Sequence, residues 1–228
     1  DLAKIRGEPK KVAYGLLEPD ILATYCARDS VSTARLGVVL GERVGDSPEL
    51  SRVNRELVRP AIEAVTRVET WGMPVSREAI GALQDYLSVR IKAVEARFAA
   101  YQPFNPGSNP EVARLLFEKL ALPSTRRTDG GAPSTNEDAL GALKPLHPVV
   151  SDILEWRHLG KMKGTYADGL AGCIRADGRV HASFNIGGAS TGRLSASDPN
   201  LQNIPVRTEI GRQIRACFTA PPGSVILN

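Results

Sequence analysis

Residues that build metal and disulfide sites are scarce in this 228-residue sequence, which has three cysteines and three histidines. Cys26, Cys173 and Cys217 are odd in number and far apart, with no CxxC and no Cys/His pairing. Neither a zinc site nor a disulfide framework is therefore indicated. The cysteines read as small packing residues in a reducing compartment, and a cytoplasmic location is expected. His147, His158 and His181 lack metal-ligand spacing and read as packing or surface residues. Apolar runs stop after a few residues, as in Val225-Ile226-Leu227, so no segment spans a bilayer and no membrane partner is expected. A basic-then-apolar leader is missing at the start, which gives no signal for secretion. Repeats and low-complexity tracts are missing too. At 42% hydrophobic and 24% charged residues, the composition excludes a disordered or fibrous chain. The length suits one large domain or two modest ones. The sequence opens on Asp1 and stops at Asn228 within an apolar run, and it reads as cut at both ends.

The charge balance is mild, with 29 Lys and Arg against 25 Asp and Glu, a net charge of +4. Its distribution says more. Arg193, Arg207, Arg212 and Arg215 crowd a short stretch with only Asp198 and Glu209 opposing them, among Gly, Ser, Asn and Gln. Cationic and uncharged donors mixed in this way suit a surface that touches phosphates and base edges together. A solvated loop is the competing reading.

Periodicity predicts a mainly helical chain with a small antiparallel β part, an α+β fold. A helix over 20–40, ended by Gly41, places Tyr25 and Asp29 on one face. Turn-rich residues 41–51 read as a boundary, and a second helix covers about 52–71 before Gly72-Met73-Pro74. Ser76 caps a long helix over 77–101 with the stripe Ile80, Leu83, Leu87, Ile91, Val94 and Phe98. After the polar break QPFNPGSNP, the next helix starts with Asn109 as cap or with a Ser108-x-x-Glu111 box. The two helices are expected to form an antiparallel hairpin with FNPGSN at its tip. Ser134-x-x-Glu137 opens a short helix, and Pro148 begins a longer one carrying Arg157, Lys161 and Lys163. Asp177-Gly178 signals a β-hairpin turn, Thr208 a helix cap, and Val225 to Leu227 the start of a strand.

Between these elements lies GGASTGRLSASDPNLQNIP, too long for an idle connection in a compact region. It holds Arg193, Asn200, Gln202 and Asn203. All four base pairs share only their minor-groove acceptors, purine N3 and pyrimidine O2. Arg, Asn and Gln donate to those atoms and acids cannot, so such a loop can test pair geometry without reading sequence. Residues alone leave this as one option among several.

The segment TGRLSASDPNLQNIPVRTEIGRQIRACF (191–218) closely resembles the signature of family A DNA polymerases, the bacterial and phage DNA polymerase I type. EWRHLGKMKGTYADGL (155–170), GRVHASFN (178–185), FNPGSN (104–109) and GGAPSTNEDAL (130–140) agree with that family in order, so the resemblance covers about 56–228. It implies three parts. Residues 1–45 are the end of a 3′–5′ exonuclease-like domain, 46–170 the thumb and thumb–palm junction, and 171–228 the start of the palm.

The same resemblance implies DNA contacts by Arg193, Gln202, Asn203 and Asn200, by Arg157, Lys161, Lys163 and Thr165 on the junction helix, and by Asn105, Ser108 and Asn109 at the thumb tip. Arg207 is implied to lie near the incoming nucleotide. The tip departs from the family's usual Ser/Thr/Lys-richer version. A solvated Lys163, and an Asn200 or Asn203 that satisfies loop backbone, are competing readings. Tyr25-x-x-x-Asp29 resembles the third exonuclease motif, in which the Asp is a metal ligand and the Tyr orients water. The family's polymerase chemistry uses two Mg²⁺ ions on two palm aspartates. By the family pattern the first falls just beyond Asn228, so the chain alone is expected to be inactive. The implied partners are primer–template DNA, dNTP and a palm–fingers portion. A stand-alone or split-partner duplex-binding module without catalysis is the alternative.

Overall fold

The computed structural model describes residues 17–124 and 126–226. The chain divides into two compact units, residues 1–64 and 65–228. It is mainly helical with two small antiparallel sheets, the α+β class expected.

In the first unit, α1 (Pro19–Gly45) runs through Gly37 and Gly41 and ends only at Gly45. The expected stop at Gly41 is therefore wrong. One glycine in a helix costs about 1 kcal/mol, too little to break a helix supported on both sides. No side chain of α1 is buried, and Val31, Leu36, Val38 and Leu40 are exposed. Ser47 caps α2 (Pro48–Val53), accepting from the Leu50 amide at 3.3 Å. A π-helical turn, Asn54–Val58, leads into α3 (Arg59–Trp71). The expected boundary loop over 41–51 is thus one short turn, and the division between units falls inside α3.

The second unit is built on α4 (Arg77–Phe98), whose first turn Ser76 caps by accepting from the Ala79 amide at 3.1 Å. Its long neighbour is α7 (Pro148–Lys161), which continues through a π-helical turn, Met162–Asp168, into α8 (Gly169–Cys173). The hairpin partner expected for α4 was α5 (Asn109–Ala113, continuing as a π turn to Lys119). That segment does not lie along α4. Its Val112, Leu115 and Leu116 instead join Leu140 and Leu143 of α6 (Glu137–Leu143) and Val149, Val150 and Ile153 of α7 in a distal core. The cap of α6 is Asn136, which accepts from the Ala139 amide at 2.9 Å; the expected cap Ser134 lies two residues upstream.

A proximal core collects Ile80, Leu83, Leu87 and Val94 of α4 with Leu159, Met162, Tyr166 and Leu170 of the α7–α8 run. Val180 and, from α9 (Glu209–Ala216), Ile210 and Ile214 complete it. Thr208 caps α9 as expected, accepting from the Gly211 amide at 3.0 Å. A Cβ on Gly211 would sit 2.3 Å from the Pro205 carbonyl oxygen, so the loop before α9 needs glycine there.

Strand β1 (Met73–Pro74) pairs with β2 (Arg179–Val180), and β3 (Ser183–Asn185) pairs with β4 (Ser195–Ser197), with Phe184 opposite Ala196. The Asp177-Gly178 turn forms, with Gly178 at φ 75°. His181 is embedded rather than superficial. One ring nitrogen lies 2.7 Å from the Glu69 carbonyl and the other 2.9 Å from the Asp177 carboxylate. Val225 and Ile226 are not in a strand, and Leu227, which was to continue one, lies outside the described residues.

Charges stitch α4 to α7. Glu155 accepts from Arg90 at 2.8 Å and Arg97 at 2.5 Å, and Arg97 also bonds Asp152 at 2.7 Å. The Arg90 hydrogen bond, with Arg97 adding to it, holds the Glu155 carboxyl below the ordinary glutamate range. A depressed acid stabilises the fold above its unfolded-state pKa, and the gain disappears as pH falls through the folded-state value. Both arginines are partly exposed, so the effect is held to about 1 kcal/mol or less. Urea midpoints are expected to fall between about pH 7 and pH 3, and to fall less in Glu155→Gln over that interval. Equal losses in both proteins would contradict this account of the seam.

Candidate nucleic-acid interface

The polar stretch from Gly187 to Pro205 is an organised surface. Asn185 receives the Gly187 amide at 2.9 Å, closing the exit from β3. Gln202 lies in a 3₁₀ turn (Leu201–Asn203) and reaches back across β4. Its Oε1 accepts from the Ala196 amide at 3.0 Å, and its Nε2 donates to the Leu194 carbonyl at 3.1 Å. Asn200 caps that turn, accepting from the Gln202 amide at 3.1 Å. The Asn203 carbonyl receives the hydroxyl of Tyr166, which fastens the loop to the π turn after α7. Asp198 takes up the left-handed conformation at φ 52°, which aspartate tolerates better than most residues.

The expected site residues fall into two groups. Gln202 and Asn200 have polar atoms engaged in holding the loop. Lys163 is paired with both oxygens of Asp168, at 2.8 and 3.0 Å, and Gln84 bonds the same carboxylate at 2.9 Å. Lys163, chiefly, holds the Asp168 carboxyl below the ordinary aspartate range. Arg157 is half-buried, and desolvation lowers its pKa. All three of its donor nitrogens face protein acceptors, at Pro106, Thr135 and Asn109. Arg193, Arg207, Lys161, Thr165 and Asn203 are exposed, and their side chains make no hydrogen bond or ion pair with the described residues. Arg193 stands directly beside Leu194, whose carbonyl Gln202 holds.

At the 104–109 tip, Asn105 receives the Gly107 amide at 2.8 Å and donates its own amide to Glu111 at 2.8 Å. Ser108, rather than Asn109, is the helix cap, receiving the Glu111 amide at 3.5 Å. The Glu111 carboxylate turns to Asn105, so the reciprocal half of the expected capping box does not form. The Arg126–Ser134 segment closes as a hairpin, with Thr128 donating to Ala132 at 2.8 Å and Arg127 to the Gly131 carbonyl at 2.7 Å.

Tyr25 and Asp29 lie in the first unit, one helical turn apart on α1. Among the described residues no group of three or more His, Cys, Asp or Glu side chains could hold a metal.

Sequence reasoning missed Tyr166, Thr135 and Gln84. Tyr166 follows Met162 and precedes Leu170 at helical spacing, and so reads as core. Its hydroxyl was the available signal, because a buried Tyr needs a polar partner. Thr135 and Gln84 gave no signal, since their partners are distant in sequence.

The model of DNA polymerase family A matches residues 77–228. DNA polymerase I of Pseudomonas aeruginosa is 36% identical over 222 residues, covering 96% of this chain and 24% of that protein. The thermostable DNA polymerase I of Thermus aquaticus is 39% identical over 197 residues, covering 85% of this chain and 24% of that protein. The polymerase domain of Pol1 from M. smegmatis, solved with DNA primer-template and dNTP, superposes with a TM-score of 0.69 at 36% identity. That match covers 75% of this chain and 30% of the other. This chain thus spans about a quarter of the length of the curated relatives it matches.

The loop's internal bonds carry a stability consequence. Gln202→Ala leaves the Ala196 amide and Leu194 carbonyl without side-chain partners, at a cost of about 1–2 kcal/mol. Amide exchange at Ala196 should accelerate while exchange within α9 is unchanged. Unaltered Ala196 exchange would show that Gln202 does not hold the loop.

Proposed function

The chain belongs to DNA polymerase family A, and from that premise we propose that it is the duplex-holding part of a template-directed DNA polymerase, a nucleotidyltransferase. One observation carries the proposal. A loop clamped by Gln202, Asn200 and Tyr166 leaves Arg193 exposed and without a partner among the described residues, beside its fixed strand. A guanidinium in that state is free to donate to purine N3 or pyrimidine O2, the acceptors common to every Watson–Crick pair. Asn203 adds a donor to the same surface, and Lys161 and Thr165 face the phosphate backbone. Arg207 lies toward the incoming nucleotide. Gln202 and Asn200 serve chiefly by shaping the loop.

In this reading 1–45 is exonuclease-like, 46–170 is thumb and junction, and 171–228 begins the palm. The partners are primer–template DNA, dNTP and the palm–fingers portion, which supplies the carboxylates for Mg²⁺. The M. smegmatis domain, bound to primer-template and dNTP, supports the DNA and dNTP partners. The relatives are bacterial, and no helix among the described residues is long and apolar enough to cross a membrane. A cytoplasmic site of action agrees with both. By itself the chain does not extend a primer.

Duplex affinity should fall with salt, log K dropping by about 0.9 per unit of log salt for each phosphate neutralised. Arg193→Ala should weaken duplex binding about tenfold, the scale of one good base-edge contact, with little dependence on base sequence. Mixing the chain with a palm–fingers piece should restore primer extension. Salt-independent binding, or Arg193→Ala binding as tightly as the native chain, would overturn the proposal.

A further inference from the structure

We infer that Arg157 is a positioning residue that fixes the Asn109 carboxamide, so that its Nδ2 amino group is presented outward as a hydrogen-bond donor to duplex DNA. The inference rests on the duplex-holding reading above and goes beyond it by separating the residue that reaches DNA from the residue that aims it.

Arg157 has the charge and location of a phosphate ligand, yet its nitrogens are engaged within the protein. Nε donates to the Pro106 carbonyl at 2.8 Å, Nη1 to the Thr135 carbonyl at 2.6 Å, and Nη2 to Asn109 Oδ1 at 3.0 Å. The same Oδ1 accepts from the Thr135 hydroxyl at 2.9 Å. An amide oxygen has two lone pairs, and both are engaged here. Flipping the carboxamide would set its NH₂ against the Arg157 guanidinium, which can only donate, so its orientation is determined by that partner. The amino end is left with no hydrogen bond to the described residues, on an exposed side chain.

The tip is backed at the adjoining position as well. A Cβ on Gly107 would lie 3.4 Å from the Trp156 ring, and Trp156 is held by Glu95 at 3.0 Å. Consecutive residues of α7 therefore hold the tip, Trp156 by the closeness of its ring to Gly107 and Arg157 by donating hydrogen bonds. A lysine at 157 offers one ammonium where a planar fork meets three acceptors, so Lys is no substitute.

Asn109→Asp separates the two roles in the whole 228-residue chain. Its carboxylate keeps both internal bonds while the outward group becomes an anionic acceptor. The thermal midpoint should hold or rise, and affinity for a short primer–template duplex should drop about tenfold, the loss of one hydrogen bond. That deficit should persist when binding is extrapolated to about 1 M salt, where general repulsion is screened.

Arg157→Ala should speed amide exchange at Gly107 and Ser108 in the free protein and weaken duplex binding without changing its salt dependence. Arg157→Lys should not rescue it, and adding Arg157→Ala to Asn109→Ala should cost little more affinity. A salt slope reduced by about 0.9 in Arg157→Ala would make Arg157 a phosphate contact and overturn the inference. So would unchanged Gly107 and Ser108 exchange, or Asn109→Asp binding as tightly as the native chain. If the native chain binds no duplex, the polymerase reading fails and takes the donor role with it, while exchange in the free protein still decides whether Arg157 positions the tip.

Discussion

Helix α7 and its π-helical continuation must satisfy two cores at once. Val149, Val150 and Ile153 enter the distal core, while Leu159, Met162 and Tyr166 enter the proximal one. With both ends packed, the helix cannot rotate without opening one core, and each buried aliphatic side chain is worth about 1.5–3 kcal/mol. Every side chain between and beyond these anchors is aimed as a result. Trp156 and Arg157 reach the tip, Lys161 faces solvent, and the Tyr166 hydroxyl meets the Asn203 carbonyl. Tip and polar loop are far apart in sequence, yet both take their position from this one helix.

The polar residues around that helix follow a division of labour. Those whose hydrogen bonds lie within the protein, among them Gln202, Asn200, Arg157 and Lys163, set backbone positions or balance charge. Those left exposed without partners among the described residues are mostly cations, namely Arg193, Arg207 and Lys161. A flexible polar loop would lose conformational entropy on meeting a ligand, whereas one already held by its own carboxamides loses less.

Much of the fold was legible because its signals are local. Ser76 and Thr208 cap the helices they precede, the α4 stripe is buried, and Asp177-Gly178 turns. One misreading is local and the other arises where distant contacts decide. Gly41 does not stop α1 because a single helical glycine costs little, whereas α4 lies against α7 because the apolar side chains of α5 join another core. The candidate site was legible as a set of residue types. Composition could not divide engaged donors from exposed ones, because the partners of Arg157 lie 22 to 51 residues away.

The central claim is that tip, junction helix and the 191–207 loop form one surface along which a double helix lies. Amide hydrogen exchange of the whole chain, with and without a primer–template duplex, tests it most directly. The account predicts protection on binding at 105–109, around Lys161 and across 191–207 together, with the buried stripe of α4 unchanged. Protection confined to α1, or its absence from 191–207 at saturating duplex, would contradict it.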